Sequence, residues 1–245
     1  MGNSDRMKAL IPLINDDDRK IVVLSAMAGT TNSLVEITQL LYANNIEEAS
    51  VKNNNMRSKY HQVVDELFAT DNLKKSGHEL IDSHFDFIRN FTLMVFTKLQ
   101  EKAILAQGEL ISTSLFHLLL QERNINSILL PALSFMRIDK DGEPDAFYIE
   151  ENIDRELKNC LSDNIIITQG FICRNAYGEI DNLRHAPASH GLLDKEILYT
   201  LEYFDFHRFP CGTASRTSNI LSISRITRPV RSLRNKGRRA RVRWS

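Results

Sequence analysis

The chain is poor in cysteine and has no run of about 18 apolar residues, the length needed to cross a bilayer. Its three cysteines, Cys160, Cys173 and Cys211, are far apart and show no Cys-x-x-Cys spacing. This spacing argues against a disulfide framework and against a cysteine metal site. We therefore expect reduced thiols, no metal site, no membrane-spanning helix and a cytoplasmic location.

The two common glycine-rich phosphate-binding motifs are also absent. The sequence has no Gly-x-x-x-x-Gly-Lys segment and no Gly-x-Gly-x-x-Gly segment, which excludes a P-loop and a Rossmann fingerprint. The seven histidines form no His-x-x-x-His pair. His84 and His117 lie in helical segments, and we interpret them as packed or capping residues, not as ligands.

Acidic residues are missing from the end of the chain. No Asp or Glu follows Asp205, although the whole chain has 31 basic and 31 acidic residues. Residues 1–184 hold 19 Lys and Arg against 27 Asp and Glu, whereas residues 185–245 hold 12 against 4. This asymmetry indicates two segments that differ in origin or in role.

The strongest local pattern is a strand followed by a loop and a helix. Residues 20–25 form an apolar, β-branched run, which is typical of a strand buried in a parallel sheet. Small and polar residues follow at 26–32. Ser33 and Glu36 then predict a capping box at the start of a helix, with Leu34, Ile37 and Leu41 on one face.

The remaining pattern alternates between helices and strands. Apolar residues at helical spacing predict helices between residues 56 and 95, with breaks near residues 53–55 and at Ser76-Gly77. Further helices are expected at about 101–121 and 149–161, strands at 126–131 and 164–173, and a turn or hairpin loop at 174–178. Such alternation favours an α/β sheet with helices on its faces.

Two segments carry candidate chemistry. The loop at residues 25–32 precedes a helix, so its N–H groups and the helix dipole suit a carboxylate or phosphate. On composition alone, an ordinary tight turn is the favoured interpretation. Gly108 lies on the packed face of a helix and indicates close approach of another backbone or of a ligand. Glu109 beside it suits a substrate ammonium group, or is a solvated helix glutamate.

Three segments together resemble the aspartate kinase family. They are Val22-Val-Leu-Ser-Ala-Met-Ala-Gly-Thr-Thr-Asn32, Gln107-Gly-Glu-Leu-Ile-Ser-Thr113 and Ile167-Thr-Gln-Gly-Phe-Ile172, in the order and at the spacing of that family. The resemblance covers nearly all of residues 1–183. It implies an α/β class and the amino-acid-kinase fold, a three-layer α/β/α sandwich around a mainly parallel sheet, here incomplete.

The same resemblance implies an activity and a pocket. The activity is transfer of the ATP γ-phosphate to the β-carboxylate of L-aspartate, in the biosynthesis of lysine, threonine and methionine. ATP and Mg²⁺ are the implied cofactors, and the intact family implies a homodimer. Thr31 and Glu109 match aspartate-contacting positions, with Glu109 holding the substrate ammonium group. Ser25 and Phe171 match further pocket positions.

The chain also departs from the family pattern. The family's first strand ends in Lys-Phe-Gly-Gly-Thr-Ser, which holds the nucleotide phosphates, and residues 1–245 contain no such segment. After Asn182-Leu183-Arg184 the family continues with Arg-Gly-Gly-Ser-Asp-Tyr-Thr, whereas residues 185–190 read His-Ala-Pro-Ala-Ser-His. We therefore expect residues 1–184 to be a partial, inactive catalytic domain with open strand edges, and residues 185–245 to be a non-homologous, disordered basic tail.

The sequence leaves two alternatives open. The tail carries nine basic residues from Arg225 to Arg243, which would attract phosphate backbones if the protein bound nucleic acid; an adventitious tail explains them as well. Other amino-acid kinases act on glutamate, although the segments at 22–32 and 107–113 favour aspartate.

Overall fold

In the described residues, the centre of the computed structural model is a sheet of four parallel strands. The structure describes residues 4–16, 18–160 and 164–183, together with the backbone of 219–223. The strands are β1 (Lys20–Leu24), β2 (Ser127–Leu129), β3 (Ile165–Gln169), β4 (Ile172–Arg174), β5 (Ile180–Asn182) and β6 (Asn219–Ile223). The main sheet has the order β2-β3-β1-β6, and β4 and β5 form a separate antiparallel hairpin.

Strands β1 and β3 form the buried middle of the sheet. All five residues of each strand are buried, and their register pairs Val22 with Ile167 and Leu24 with Gln169. Continuous apolar runs are what a parallel strand covered on both faces requires. The predicted strands at 20–25 and 164–173 are confirmed, although the second one ends at Gln169 and resumes as β4.

The strand β6 lies inside the segment that the sequence predicted to be disordered. Its backbone pairs in parallel with β1 over its full length, from Lys20 with Asn219 to Leu24 with Ile223. The prediction of disorder is therefore wrong for residues 219–223. The physical reason is their composition, since the apolar Ile220, Leu221 and Ile223 suit a strand and β1 offers an edge with backbone groups to satisfy. The rest of 184–245 lies outside the described residues.

The described residues form six α-helices. They are α1 (Ser4–Ile14), α2 (Thr30–Tyr42), α3 (Ile46–Leu67), α4 (Asp71–Asn90), α5 (Lys98–Glu122) and α6 (Ala146–Lys158), with 3₁₀ turns at Phe91–Leu93 and Ala132–Ser134.

Successive residues of β1 face two different cores. Val22 and Leu24 pack in a core made with α1 to α5, whereas Ile21 and Val23 pack in a second core with α6 and the β4–β5 hairpin. Side chains alternate across a strand, so the sheet is covered on both faces. The α/β class with three layers is confirmed.

The predicted helix breaks are misplaced. Helix α3 continues through Asn53, which is buried and donates its side-chain amide to the carbonyl of Phe85 at 3.0 Å. Helix α4 continues through Gly77, where a Cβ would lie 2.8 Å from Val64 Cγ1. These residues therefore mark close contact between α3 and α4, and the break falls at residues 68–70 instead. Met94 and Val95, predicted to be helical, are exposed between α4 and α5.

Two helix starts also differ from prediction. Helix α2 begins at Thr30 behind Gly29, which has the left-handed φ of 81° and no side-chain cap, so the capping box at Ser33 is wrong. Only glycine adopts this conformation at no steric cost. Helix α6 begins three residues before the predicted position, because Asp145 accepts the N–H of Tyr148 as its cap.

Helix α5 is long and apolar enough to cross a membrane, judged by length and composition only. Its most apolar 18-residue window has a mean hydropathy of 1.4, but 67% of that window is buried inside the protein. Burial of this kind is what a core helix shows. Helix α5 is the one helix of this length and hydropathy among the described residues, and it lies in the protein core.

Candidate functional site

The candidate site lies at the carboxyl edge of the sheet, where β1 and β3 end side by side. Because Leu24 pairs with Gln169, Ser25 and Gly170 leave the sheet at the same level. Helix α5 runs along this edge, and its Ser112 hydroxyl donates to the carbonyl of Ser25 at 2.9 Å. In open parallel sheets, ligands bind outside the carboxyl ends of the strands.

Glu109 is the central charged group of this edge. It is 4% exposed, and its Oε2 atom accepts the backbone N–H groups of Gly170 at 3.1 Å and Phe171 at 2.8 Å. Hydrogen bonds to a carboxylate are stronger than those between neutral groups, so these two bonds hold the negative charge in a fixed place. The interpretation of Glu109 as a solvated helix residue is therefore wrong.

Gly108 allows the β1 loop to approach α5. A Cβ at this position would lie 3.0 Å from Ala26 Cβ and 3.2 Å from Thr30 Cγ2. Both distances are tight for carbon atoms, so a larger residue would push the loop away from Glu109. The close approach that the sequence predicted at Gly108 is confirmed.

The first turn of α2 presents one threonine to the interior and one to the surface. Thr30 is buried, and its hydroxyl shares a hydrogen bond of 2.6 Å with the hydroxyl of Tyr60 on α3. Burial raises the pKa of Tyr60 to about 12, although the bond to Thr30 acts in the opposite direction. Thr31 is exposed, at a helix end where unpaired N–H groups favour anions.

Behind the edge, two amide side chains connect α5 to its neighbours. Gln169 donates to the Thr113 hydroxyl at 2.8 Å and accepts the N–H of Ala132 at 2.7 Å. Gln107 accepts from Nδ1 of His84 at 2.6 Å, and burial lowers the pKa of this histidine although the bond to Gln107 raises it. His84 is thus a packed residue, as predicted. Gln107 and Gln169 lie in two of the family motifs, but nothing else in the sequence predicts the hydrogen bonds that they make.

Two of the four predicted pocket residues, Glu109 and Phe171, are in direct contact. Ser25 is joined to Glu109 through Ser112, whose hydroxyl donates to the backbone carbonyls of both residues. Thr31 is joined to them through Thr30, its neighbour in the chain, which packs at Gly108. Tyr60, which anchors Thr30, lies at helical spacing in α3, and this spacing does not distinguish it from a core residue.

The described part of the chain does not provide a cage for a metal ion. It holds no group of three or more His, Cys, Asp or Glu side chains placed to bind one. Mg²⁺ in phosphoryl-transfer sites is held by one or two carboxylates together with phosphate oxygens. The buried carboxylate at this edge, Glu109, instead accepts the Gly170 and Phe171 N–H groups.

Helices on both faces of a parallel sheet define an α/β protein, and the buried carboxylate of Glu109 marks a candidate ligand site at the carboxyl edge of that sheet. The chain belongs to the amino acid kinase family, whose model matches residues 1–186.

The similar proteins are aspartokinases. The lysine-sensitive aspartokinase 3 of Escherichia coli is 28% identical over 163 residues, which are 65% of this chain and 35% of that protein. The crystal structure of E. coli aspartokinase III in complex with aspartate and ADP has a TM-score of 0.62 at 26% identity, covering 74% of this chain and 41% of the other.

Two further structures show the same fold. E. coli aspartokinase III in complex with lysine and aspartate has a TM-score of 0.64 at 25% identity, covering 80% of this chain and 45% of the other. The aspartate kinase of Clostridium acetobutylicum has a TM-score of 0.57 at 17% identity, covering 75% and 39%. The resemblance to aspartate kinases is confirmed, and the chain spans less than half of the length of these relatives.

Proposed function

We propose that residues 4–183 form the L-aspartate-binding part of an aspartate kinase catalytic domain. The observation that supports this most is the buried Glu109 carboxylate, held by Gly170 and Phe171 at the carboxyl edge of the sheet. A fixed, partly desolvated carboxylate binds an ammonium group more strongly than one in water.

The other three residues complete the pocket in this proposal. The first turn of α2, with Thr31, provides N–H groups and a positive dipole end for a substrate carboxylate. Ser25 and Phe171 border the pocket from the ends of β1 and β3. Two carboxylates and one ammonium group are the charges of L-aspartate, so the arrangement of one anion opposite a helix N-terminus suits this ligand.

The reaction itself is a further part of the proposal. Aspartokinase III of E. coli was crystallised with aspartate and ADP, and the corresponding reaction would transfer the ATP γ-phosphate to the β-carboxylate. Such transfer depends on cationic and N–H groups that align the phosphates. Residues 1–245 contain neither of the family's two phosphate-contacting motifs. We therefore propose that this polypeptide, taken alone, does not transfer phosphate.

The pocket is tested by ligand-observed NMR, which detects weak binding. Saturation transfer from the 245-residue chain to L-aspartate is expected, with little transfer to L-glutamate. Glu109→Gln keeps an oxygen that accepts the Gly170 and Phe171 N–H groups but removes the charge, and it should abolish the signal. Equal signals from Glu109→Gln and the original chain would contradict the pocket.

The catalytic proposal has its own test. Hydroxylamine traps aspartyl phosphate as a coloured hydroxamate, and we expect none above background when the chain is incubated with ATP, Mg²⁺ and L-aspartate. Robust ATP-dependent hydroxamate formation would show that the polypeptide is an active kinase. A cytoplasmic location and pairing with a second copy belong to this proposal as properties of an aspartate kinase.

A further inference from the structure

Thr30, the first residue of α2, is held by three different parts of the fold. Its N–H donates to the carbonyl of Met27 at 3.1 Å, within the β1 loop. Its methyl carbon Cγ2 faces Gly108 on α5, where an added Cβ would lie 3.2 Å away. Its hydroxyl shares a buried hydrogen bond of 2.6 Å with the hydroxyl of Tyr60 on α3. The side chain of Thr30 therefore has a fixed partner on each of its two branches.

The hydroxyl of Tyr60 is itself held in one place. Tyr60 is 5% exposed, and its ring packs against the ring of Phe85 on α4 with the centroids 5.6 Å apart. Phe85 is fully buried, and its carbonyl accepts the side-chain amide of Asn53 at 3.0 Å. Because side chains in a close-packed core have little room to change rotamer, the Tyr60 hydroxyl reaches Thr30 from one direction.

The bond to Tyr60 fixes where the methyl group of Thr30 points. The hydroxyl and the methyl group are both attached to Cβ, so a single rotation about χ1 moves both of them. Threonine in a helix divides between two χ1 rotamers, and the hydrogen bond to Tyr60 selects one of them. In this rotamer Cγ2 lies against Gly108, and α2 and α5 are held at a defined separation.

This separation has consequences for the proposed pocket. Thr31 follows Thr30 at the N-terminus of α2, and Glu109 follows Gly108 on α5. The contact between Thr30 and Gly108 thus sets the distance between the two charged ends of the pocket. One end is the Glu109 carboxylate, which would bind the ammonium group, and the other is the helix end that would bind a carboxylate.

A fixed distance between these ends discriminates by the length of the ligand. L-Aspartate and L-glutamate carry the same charges, but L-glutamate has one more methylene group before its side-chain carboxylate. A binding site typically distinguishes ligands that differ by one methylene group by about 10–200-fold. The distinction is lost when the two ends of the site can move apart.

We propose that Tyr60 is a positioning residue that determines specificity: through Thr30 it fixes the distance from Glu109 to the α2 end that receives the side-chain carboxylate, and it thereby favours L-aspartate over L-glutamate. This inference rests on the proposed function. Tyr60 does not touch the ligand and acts through Thr30. Two buried hydroxyls also pair simply to satisfy each other, so the test separates selectivity from stability.

Dissociation constants for L-aspartate and L-glutamate, measured by NMR titration of the 245-residue chain, test the inference. Tyr60→Phe removes only the hydroxyl, and it should weaken L-aspartate binding about tenfold while it changes L-glutamate binding by less than about threefold. The matched control is Tyr42→Phe, because Tyr42 donates its hydroxyl to Glu101 of α5 from the opposite end of α2. This control should leave both dissociation constants unchanged.

Thr30→Ser is a second variant, which keeps the hydroxyl for Tyr60 and removes the methyl group that faces Gly108. Selectivity should fall in Thr30→Ser as it does in Tyr60→Phe, although the two hydroxyls stay paired. A pair that serves stability alone would leave selectivity unchanged in both variants. Thermal unfolding of each variant establishes that the titrations are made on folded protein, and Tyr60→Phe should have the lower midpoint because the Thr30 hydroxyl loses this partner.

The possible results separate this inference from the proposed function. If the original chain binds neither amino acid, the proposed function fails and the role of Tyr60 in specificity falls with it. If the original chain selects L-aspartate and Tyr60→Phe keeps the same ratio of dissociation constants, the proposed function stands and the positioning role is overturned. A lower ratio in Tyr60→Phe and in Thr30→Ser, with an unchanged ratio in Tyr42→Phe, supports the positioning role.

Discussion

The carboxylate of Glu109 on α5 accepts the N–H of Phe171 at 2.8 Å, 62 residues further along the chain. This bond, with its partner at Gly170, couples the middle of the longest helix to the end of β3. The Oε2 atom of Glu109 thereby links two elements of the fold, and the same two hydrogen bonds hold the negative charge of the proposed pocket in place.

Two variants of Glu109 separate these roles. Glu109→Ala leaves two N–H groups without this acceptor in a buried place and should lower the free energy of unfolding by about 1–3 kcal/mol. Glu109→Gln keeps an acceptor and should cost less than half of that, while losing L-aspartate binding. Urea unfolding followed by circular dichroism measures both, and equal destabilisation by the two variants would argue against the hydrogen-bonding role.

A methyl group at Gly108 should disturb the contact between α5 and the β1 loop. In Gly108→Ala the new Cβ meets Ala26 Cβ at 3.0 Å and Thr30 Cγ2 at 3.2 Å. Overpacking typically costs about 1–3 kcal/mol, and the gain in helix propensity of about 1 kcal/mol offsets only part of it. We expect a lower urea midpoint, and an unchanged or higher one would show that the loop adjusts freely.

Stability should depend on Asp145 in a pH-dependent way. A hydrogen bond from Arg137 lowers the pKa of Asp145. Burial opposes it to a smaller extent, and the N–H of Tyr148 and the charge of Arg137 add to the lowering of this pKa. A lowered pKa in the folded state contributes stability that is present above the ordinary value of 3.8 and is lost as the pH falls through the folded-state value.

The variant Asp145→Asn keeps the cap of α6 and removes the charge. It should be less stable than the original chain by about 0.5 kcal/mol at neutral pH, the typical size for a partly exposed ion pair. The difference should disappear in acid. Urea unfolding at several pH values measures it, and a difference that grows as the pH falls would contradict the role of the ion pair.

Cys173 should not react in the folded protein. Burial raises the pKa of its thiol to about 12, the charge of Asp181 adds to this, and Lys102 opposes it. Because the thiolate is the reactive form, iodoacetamide at neutral pH should leave Cys173 unmodified. Mass spectrometry of a Cys211→Ser variant, before and after unfolding in urea, tests this, and modification of Cys173 in the native state would be inconsistent with its burial.

Residues 20–25 and 164–169 determine their strands by themselves, because a continuous β-branched run is stable only when buried on both faces. Helix α5 was also predictable from the sequence, because its apolar residues recur at helical spacing. Gly108 lies on the same apolar face, and this position predicted the close contact there. The motifs at 22–32, 107–113 and 167–172 were enough to identify the family and to name four pocket residues.

Only the tertiary structure decided which of these residues meet. No local pattern indicates that Glu109 bonds to Phe171 or that Thr30 bonds to Tyr60, because both pairs form when separate elements pack. The helix breaks predicted at Asn53 and Gly77 failed for the same reason: a polar or small residue inside a helix gains from contact with a neighbouring helix, and this gain outweighs its local preference. The pairing of β6 with β1 likewise depends on an edge that only the assembled sheet provides.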